Sequence, residues 1–297
     1  MSVGDLGEFG LIARVAARLG GPPAPAGPGD DGAVVPAPDG RVVATTDLLV
    51  EGRHFRLDWS SAYDVGQKAA AANLADVAAM GAVATALLVG LATPPGLPLE
   101  VADGLVDGLR DEAARVGALV VGGDVVAADA LLLAITALGD LQGRAPVTRA
   151  GARPGDVVVL AGELGRSAAG LALLRSGARD GPLVDAHRRP TPPYSSGPAL
   201  ADLGATAMCD VSDGLVADLG HIGAASGVRI DLRAAALSRA EGVTLQDALH
   251  GGEDHALVAT LPAGLGHPFS VIGAVGAGEG VWVDGVRAQG GFDHFRG

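Results

Sequence analysis

Thr206-Ala207-Met208-Cys209-Asp210-Val211-Ser212-Asp213-Gly214-Leu215 is the run on which the fold turns. Thr206 to Val211 reads as an apolar strand, and Gly214 to Ala225 reads as the helix that follows it. The same succession recurs. Strand Val157 to Ala161 precedes a helix over Arg166 to Arg175, and strand Ala84 to Ala92 precedes one over Leu99 to Val116. Such alternation predicts an α/β or α+β protein rather than a bundle or a sandwich. Asp210 and Ser212 are two apart and so face one side of the strand, while Asp213 stands where a helix begins. Asp213 alone would be an ordinary helix cap. Asp210, at the end of an apolar strand, calls for another reason, and a strand end, a helix start and two carboxylates together suit a phosphate and a metal ion.

Other acidic clusters lie outward from this corner: Gly29-Asp30-Asp31-Gly32, Thr45-Thr46-Asp47, Asn73-Leu74-Ala75-Asp76, Gly122-Gly123-Asp124 and Gly251-Gly252-Glu253-Asp254. Ala33 to Pro36 and Val42 to Thr46 read as strands joined by an Asp39-Gly40 turn, which places Thr45 to Asp47 at a strand end. Ser61 to Met80 reads as an alanine-rich helix with Asn73 and Asp76 on one face. Leu119 to Val121 reads as a strand leading into Gly122-Gly123-Asp124, the place where open α/β sheets bind ligands. Gly7 to Leu19 has helical spacing, and Ala130 to Leu138 reads as a buried strand. A polar turn after Val147 marks a boundary, giving domains 1–146 and 147–297.

With 34 acidic and 21 basic residues the chain carries a net charge of −13. That balance argues against nucleic acid or an anionic membrane as partner. Two carboxylates about 4 Å apart repel by roughly 4 kcal/mol at an effective dielectric of 20. Converging clusters therefore call for hard divalent cations such as Mg²⁺, and polyphosphates are natural clients of such cations. Cys209 is the single cysteine and the first residues lack the basic start of a secretory signal, so a cytoplasmic location is expected. The uncharged run Val77 to Leu99 is broken by Gly81, Pro94, Pro95 and Pro98 and reads as a helix end followed by a buried strand, with no membrane span.

The one lysine, Lys68, is followed by alanine, so there is no P-loop; its i,i+4 relation to Asp64 suggests a helix-surface pair. No kinase catalytic loop, serine-nucleophile elbow or zinc spacing occurs. A phosphoryl-transfer enzyme built from this chain would rely on aspartate-held metal ions.

The ordered set Gly7-Glu8-Phe9, Gly29-Asp30-Asp31, Thr45-Thr46-Asp47 with His54-Phe55, Asn73 to Ala82, Gly122-Gly123-Asp124, Val147-Thr148-Arg149, Asp210 to Leu215, Gly251 to Asp254 and Gly291-Phe292-Asp293-His294-Phe295 resembles the thiamine-monophosphate kinases over essentially the whole chain. The resemblance implies a two-domain fold like that of aminoimidazole-ribonucleotide synthetase, with an N-terminal dimerising domain and a C-terminal domain completing the ATP and acceptor site. It implies ATP as donor, thiamine phosphate as acceptor, several Mg²⁺ ions, K⁺ as a further candidate ion, and a homodimer. Carried over by motif, Asp30, Thr45, Thr46, Asp47, Asp76, Asp124, Asp210 and Asp213 are the metal ligands, with Asp47, Asp124 and Asp213 central to catalysis. Gly123, Asp124, Arg149 and Ser212 contact the nucleotide, and His54, Glu253 and Phe292 the thiamine phosphate.

The chain departs from the usual pattern at Gly32, at Val125-Val126 after Gly-Gly-Asp, and at His255-Ala256 after Gly-Gly-Glu-Asp. Two other readings compete. One is another ATP-using enzyme of the same superfamily, such as aminoimidazole ribonucleotide synthetase. The other is a non-catalytic acidic cation-binding protein, which leaves Arg149 and the Gly251 to Asp254 motif unexplained.

Overall fold

The computed structural model describes residues 2–19 and 35–291. The chain divides into two compact units, one of residues 1–77 and 83–142, the other of residues 78–82 and 143–297.

In the first unit, helix α1 (Val3–Leu19) is followed by strand β1 (Val43–Val50), helix α2 (Ala62–Ala79), strand β2 (Val83–Thr93), helix α3 (Leu99–Ala114), strand β3 (Leu119–Ala127) and strand β4 (Leu132–Asp140). Among the described residues its sheet has the order β1-β4-β2-β3, with only the β2/β3 pair parallel. One sheet face is closed: Leu133, Ile135 and Ala137 of β4 and Leu87 of β2 are fully buried. Alternation puts Leu48 and Val126 on the opposite face, about half exposed. The alanine-rich helices pack with unusual closeness. A Cβ on Gly66 of α2 would sit 2.1 Å from the Leu105 carbonyl, and one on Gly108 of α3 would sit 2.1 Å from that of Tyr63. A core poor in aromatics is filled here by bringing backbones together.

The second unit contains strand β5 (Val157–Ala161), helices α4 (Arg166–Arg175), α5 (Pro182–Arg188) and α6 (Ser196–Asp202), strand β6 (Ala207–Val211), helix α7 (Leu215–Ser226) and strand β7 (Arg229–Leu232). Helix α8 (Leu245–His250) and strands β8 (Ala256–Leu261), β9 (Ser270–Gly276), β10 (Gly280–Val283) and β11 (Val286–Ala288) complete it. The described strands form one sheet in the order β11-β10-β7-β9-β5-β8-β6. Both faces are covered. Val158, Leu160, Cys209 and Val258 pack against Leu215, Leu219 and Ile222 of α7, while Val159, Met208, Leu257 and Ala259 pack against Leu200 of α6 and residues 78–79. This burial on both faces explains why β5, β6 and β8 are mainly apolar along their length.

Several expectations change. No strand occurs at residues 35–36, although the Asp39-Gly40 turn forms with Gly40 N donating to the Ala37 carbonyl at 3.0 Å; residues 33–34 lie outside the described residues. Strand β1 runs to Val50, so Thr45 to Asp47 lie mid-strand. Gly122-Gly123-Asp124 likewise lies inside β3. Glycine-rich sequence reads as a strand end, yet paired neighbours hold these residues extended. Lys68 is only 4% exposed and donates to the His54 carbonyl at 3.2 Å, so it lies inside the fold rather than on the helix surface. Asp64 accepts from the Ser61 amide at 3.0 Å at the start of α2.

Candidate active site

Each unit brings some of the acidic clusters together. In the first, β1 is an edge strand whose outward amides need partners. Asn73 of α2, fully buried, supplies one: its Oδ1 accepts from Asp47 N at 3.0 Å, and its Nδ2 donates to the Ala69 carbonyl at 3.0 Å. One helical turn on, Asp76 accepts from Thr45 Oγ1 at 2.7 Å. Asn73 and Asp76, three residues apart, thus face β1 rather than solvent. Thr45, Asp47, Asn73 and Asp76 form a corner of oxygen donors.

Thr46 lies on the other sheet face, where its hydroxyl donates to the Ile135 carbonyl at 2.9 Å and accepts from Thr136 Oγ1 at 3.2 Å. Register sets Leu48, Ala134, Gly90 and Asp124 in one row, so Asp124 shares this open face. Thr45 and Asp47 therefore point away from Thr46 and Asp124, a division hidden in a run of neighbouring donors. At Gly123 a Cβ would stand 1.9 Å from the Val89 carbonyl, so β3 approaches β2 there more closely than any side chain allows. His54 sits in the loop after β1, its Nδ1 accepting from Val50 N at 3.0 Å.

In the second unit, β6 delivers Asp210 and the turn after it presents Ser212 and Asp213. The cap position of α7 is Gly214, with φ of 110°, so Asp213 is not the cap. The Asp213 amide instead donates to Asp218 Oδ2 at 3.1 Å. Asp218 lies beyond the Asp210 to Leu215 run, and its acidic character in the first turn of α7 is the signal in the sequence that could have found it. It is 1% exposed, and burial, reinforced by the charges of Asp210 and Asp213, pushes its pKa up to about 7, with Arg149 offsetting part of the rise. Arg149 lies on a segment alongside β6, held where Met208 N donates to the Thr148 carbonyl and Ser226 Oγ donates to its own. Burial also raises the Cys209 thiol well above its ordinary range, which removes it as a nucleophile.

The Gly251 to His255 segment closes this corner. Glu253 and His255 have φ of 62° and 52°, strained for side chains with a Cβ. The strain is held by hydrogen bonds: Glu253 N donates to the Ser212 carbonyl at 2.8 Å and His255 N to that of Val211 at 2.9 Å. His255 Nδ1 lies 3.0 Å from Asp210 Oδ2, both buried, so the departure from the usual sequence here becomes a partner for a candidate metal ligand. Asp254 accepts from Gly165 N at 2.5 Å and Ser167 N at 2.8 Å at the start of α4, and burial pushes its pKa up to about 6 against those bonds. It also lines a cleft of about 90 Å³ with Gly162, Glu163, Arg166 and Thr191.

Asp30 and Phe292 lie outside the described residues, although Gly291, just before Phe292, rests against Ala217 and the Asp213 carbonyl. Among the described residues no three carboxylate, histidine or cysteine groups form a ready-made metal cage. Small oxygen-donor sets still fit Mg²⁺, which is typically held by one or two carboxylates and completed by phosphate and water.

Two regions of the chain match families of known fold: residues 29–141 the AIR synthase related protein N-terminal domain, and residues 153–283 the corresponding C-terminal domain. The molecule is thus of the two-domain class related to AIR synthase. A thiamine-monophosphate kinase of Mycobacterium tuberculosis (strain CDC 1551 / Oshkosh) is 51% identical over 96% of this chain and 90% of its own length. The crystal structure of the Stenotrophomonas maltophilia K279a enzyme of that name superposes with a TM-score of 0.82 at 34% identity, covering 97% of this chain and 99% of the other. A structure of AaThiL complexed with AMPPCP and TMP gives 0.82 at 33% identity, over 99% of both chains. The chain belongs to the thiamine-monophosphate kinase family.

Proposed function

We propose that this protein transfers the γ-phosphoryl group of ATP to the phosphate of thiamine phosphate, forming thiamine diphosphate and ADP. The observation that carries this reading is the 51% identity with a named thiamine-monophosphate kinase along almost the whole chain. It is supported by the ATP analogue and thiamine phosphate named in the AaThiL complex. The acceptor phosphate is already ionised at neutral pH and needs no strong general base, and the raised Cys209 thiol offers no covalent route. Both points favour direct, in-line transfer without a phosphoenzyme.

Thr45, Asp47 and Asp76 would hold Mg²⁺ in the first unit, with Thr46 and Asp124 on the open sheet face. Asp210 and Asp213 would do so in the second, and Asp30 completes the set by motif. Bound Mg²⁺ supplies charge neutralisation between two anions. Asn73 keeps the Asp47 backbone in place. Gly123 and Ser212 offer backbone and hydroxyl contacts to the nucleotide, and Arg149 is its cationic contact. His54, Glu253 and Phe292 hold the thiamine moiety, and K⁺ is the monovalent candidate. With ATP chiral at the γ-phosphorus, one displacement inverts configuration. Retention, or a labelled enzyme trapped without acceptor, refutes direct transfer.

The exposed apolar face carrying Leu48 and Val126 supports pairing of two copies through their first units. Light scattering should give twice the chain mass, and Leu48→Asp should shift it toward the monomer. Among the described residues no helix is long and apolar enough to cross a membrane, and the single cysteine fits a reducing cytoplasm.

A further inference from the structure

His187 belongs to none of the motifs above, yet it is a buried imidazole, 5% exposed, on α5. Its Nδ1 lies 3.0 Å from Ser167 Oγ and 3.6 Å from Glu253 Oε2. Ser167, 1% exposed in the first turn of α4, is bound at both ends: its amide donates to Asp254 Oδ1, and its hydroxyl meets the imidazole. The two helices are locked together where Gly170 lets the Leu183 carbonyl approach to 2.0 Å of a Cβ position, one turn before His187. Glu253 itself is one-third exposed at its side chain, and its amide is tied to the Ser212 carbonyl. A partly exposed glutamate on strained backbone thus has a buried imidazole behind it and the Asp210 to Asp213 corner beside it.

We infer that His187, oriented by Ser167, is a positioning residue that fixes the Glu253 carboxylate for recognition of a phosphorylated, cationic heteroaromatic acceptor. The inference rests on the reading of Glu253 as an acceptor contact. With Nδ1 protonated, the ring donates to the Ser167 hydroxyl and turns its positive side toward the carboxylate at 3.6 Å, so the negative oxygen is held where a thiazolium charge can meet it. Without this support the side chain pays rotamer freedom on binding.

Four substitutions separate positioning from mere packing. His187→Leu should raise the KM for thiamine phosphate by about three- to fivefold, the scale of one ion pair, while the KM for ATP changes by less than about twofold. His187→Asn, whose amide nitrogen falls near the place of Nδ1, should restore much of the loss, and His187→Gln, which mimics Nε2, should not. Combining His187→Leu with Glu253→Ala should add nothing to the KM effect of Glu253→Ala alone, because the imidazole acts through the carboxylate. Equal rises in both KM values, or full additivity in the double variant, overturns the inference. A rise for Glu253→Ala with none for His187→Leu overturns it while leaving the acceptor reading intact. No rise for Glu253→Ala overturns both.

Discussion

Asn73→Ala removes the acceptor for the Asp47 amide and the donor to the Ala69 carbonyl at a site with no solvent exposure. A backbone N–H left without its partner costs about 1–3 kcal/mol, and the void left by the amide adds to it, for roughly 2–4 kcal/mol together. For a chain of this size each kcal/mol lowers Tm by about 2–4 °C, so calorimetry should record a fall on the order of 5–10 °C. The free β1 edge is also the strand that carries Asp47, so ATP consumption with thiamine phosphate should need more Mg²⁺ for half-maximal rate. A Tm within about 1 °C of wild type and an unchanged Mg²⁺ requirement for Asn73→Ala would refute the view that this residue holds the corner.

Asp47→Ala and Asp124→Ala should each abolish turnover while leaving circular dichroism unchanged; full activity in either purified variant contradicts the assignment of both as ligands. Asp254 gives a pH dependence of defined sign. Its folded pKa, raised to about 6 from 3.8, means that its contribution to stability is complete below about pH 4 and is lost as pH rises through 6. Between pH 4 and 7 the Tm of wild type should therefore fall relative to that of Asp254→Asn, and parallel curves would show that Asp254 titrates normally.

The order of acidic clusters, the position of most helices and the doubly covered strands β5 and β6 were legible because each is a local pattern: turn glycines, 3.6-residue spacing or a mainly apolar run. Pairing partners are not local. Nothing in Thr45-Thr46-Asp47 tells that β1 continues to Val50 and splits its donors between two faces, since its alternation is carried by polar residues as much as apolar ones. The glycines of β3 hide a strand for the same reason. Lys68 reads as a surface residue until the His54 carbonyl is seen to accept from it. The run from His187 to Pro190 reads as a solvated linker, yet His187 is buried on α5; its significance, like that of Asp218, lies in burial beside residues 66 and 5 positions away, Glu253 and Asp213, and only the fold creates that burial.

The central claim is the transfer itself. Purified protein with ATP, Mg²⁺ and thiamine phosphate should yield ADP and thiamine diphosphate in equal amounts by chromatography, with no turnover when free thiamine replaces the acceptor. ADP release without thiamine diphosphate, or phosphorylation of free thiamine at a comparable rate, would contradict the account.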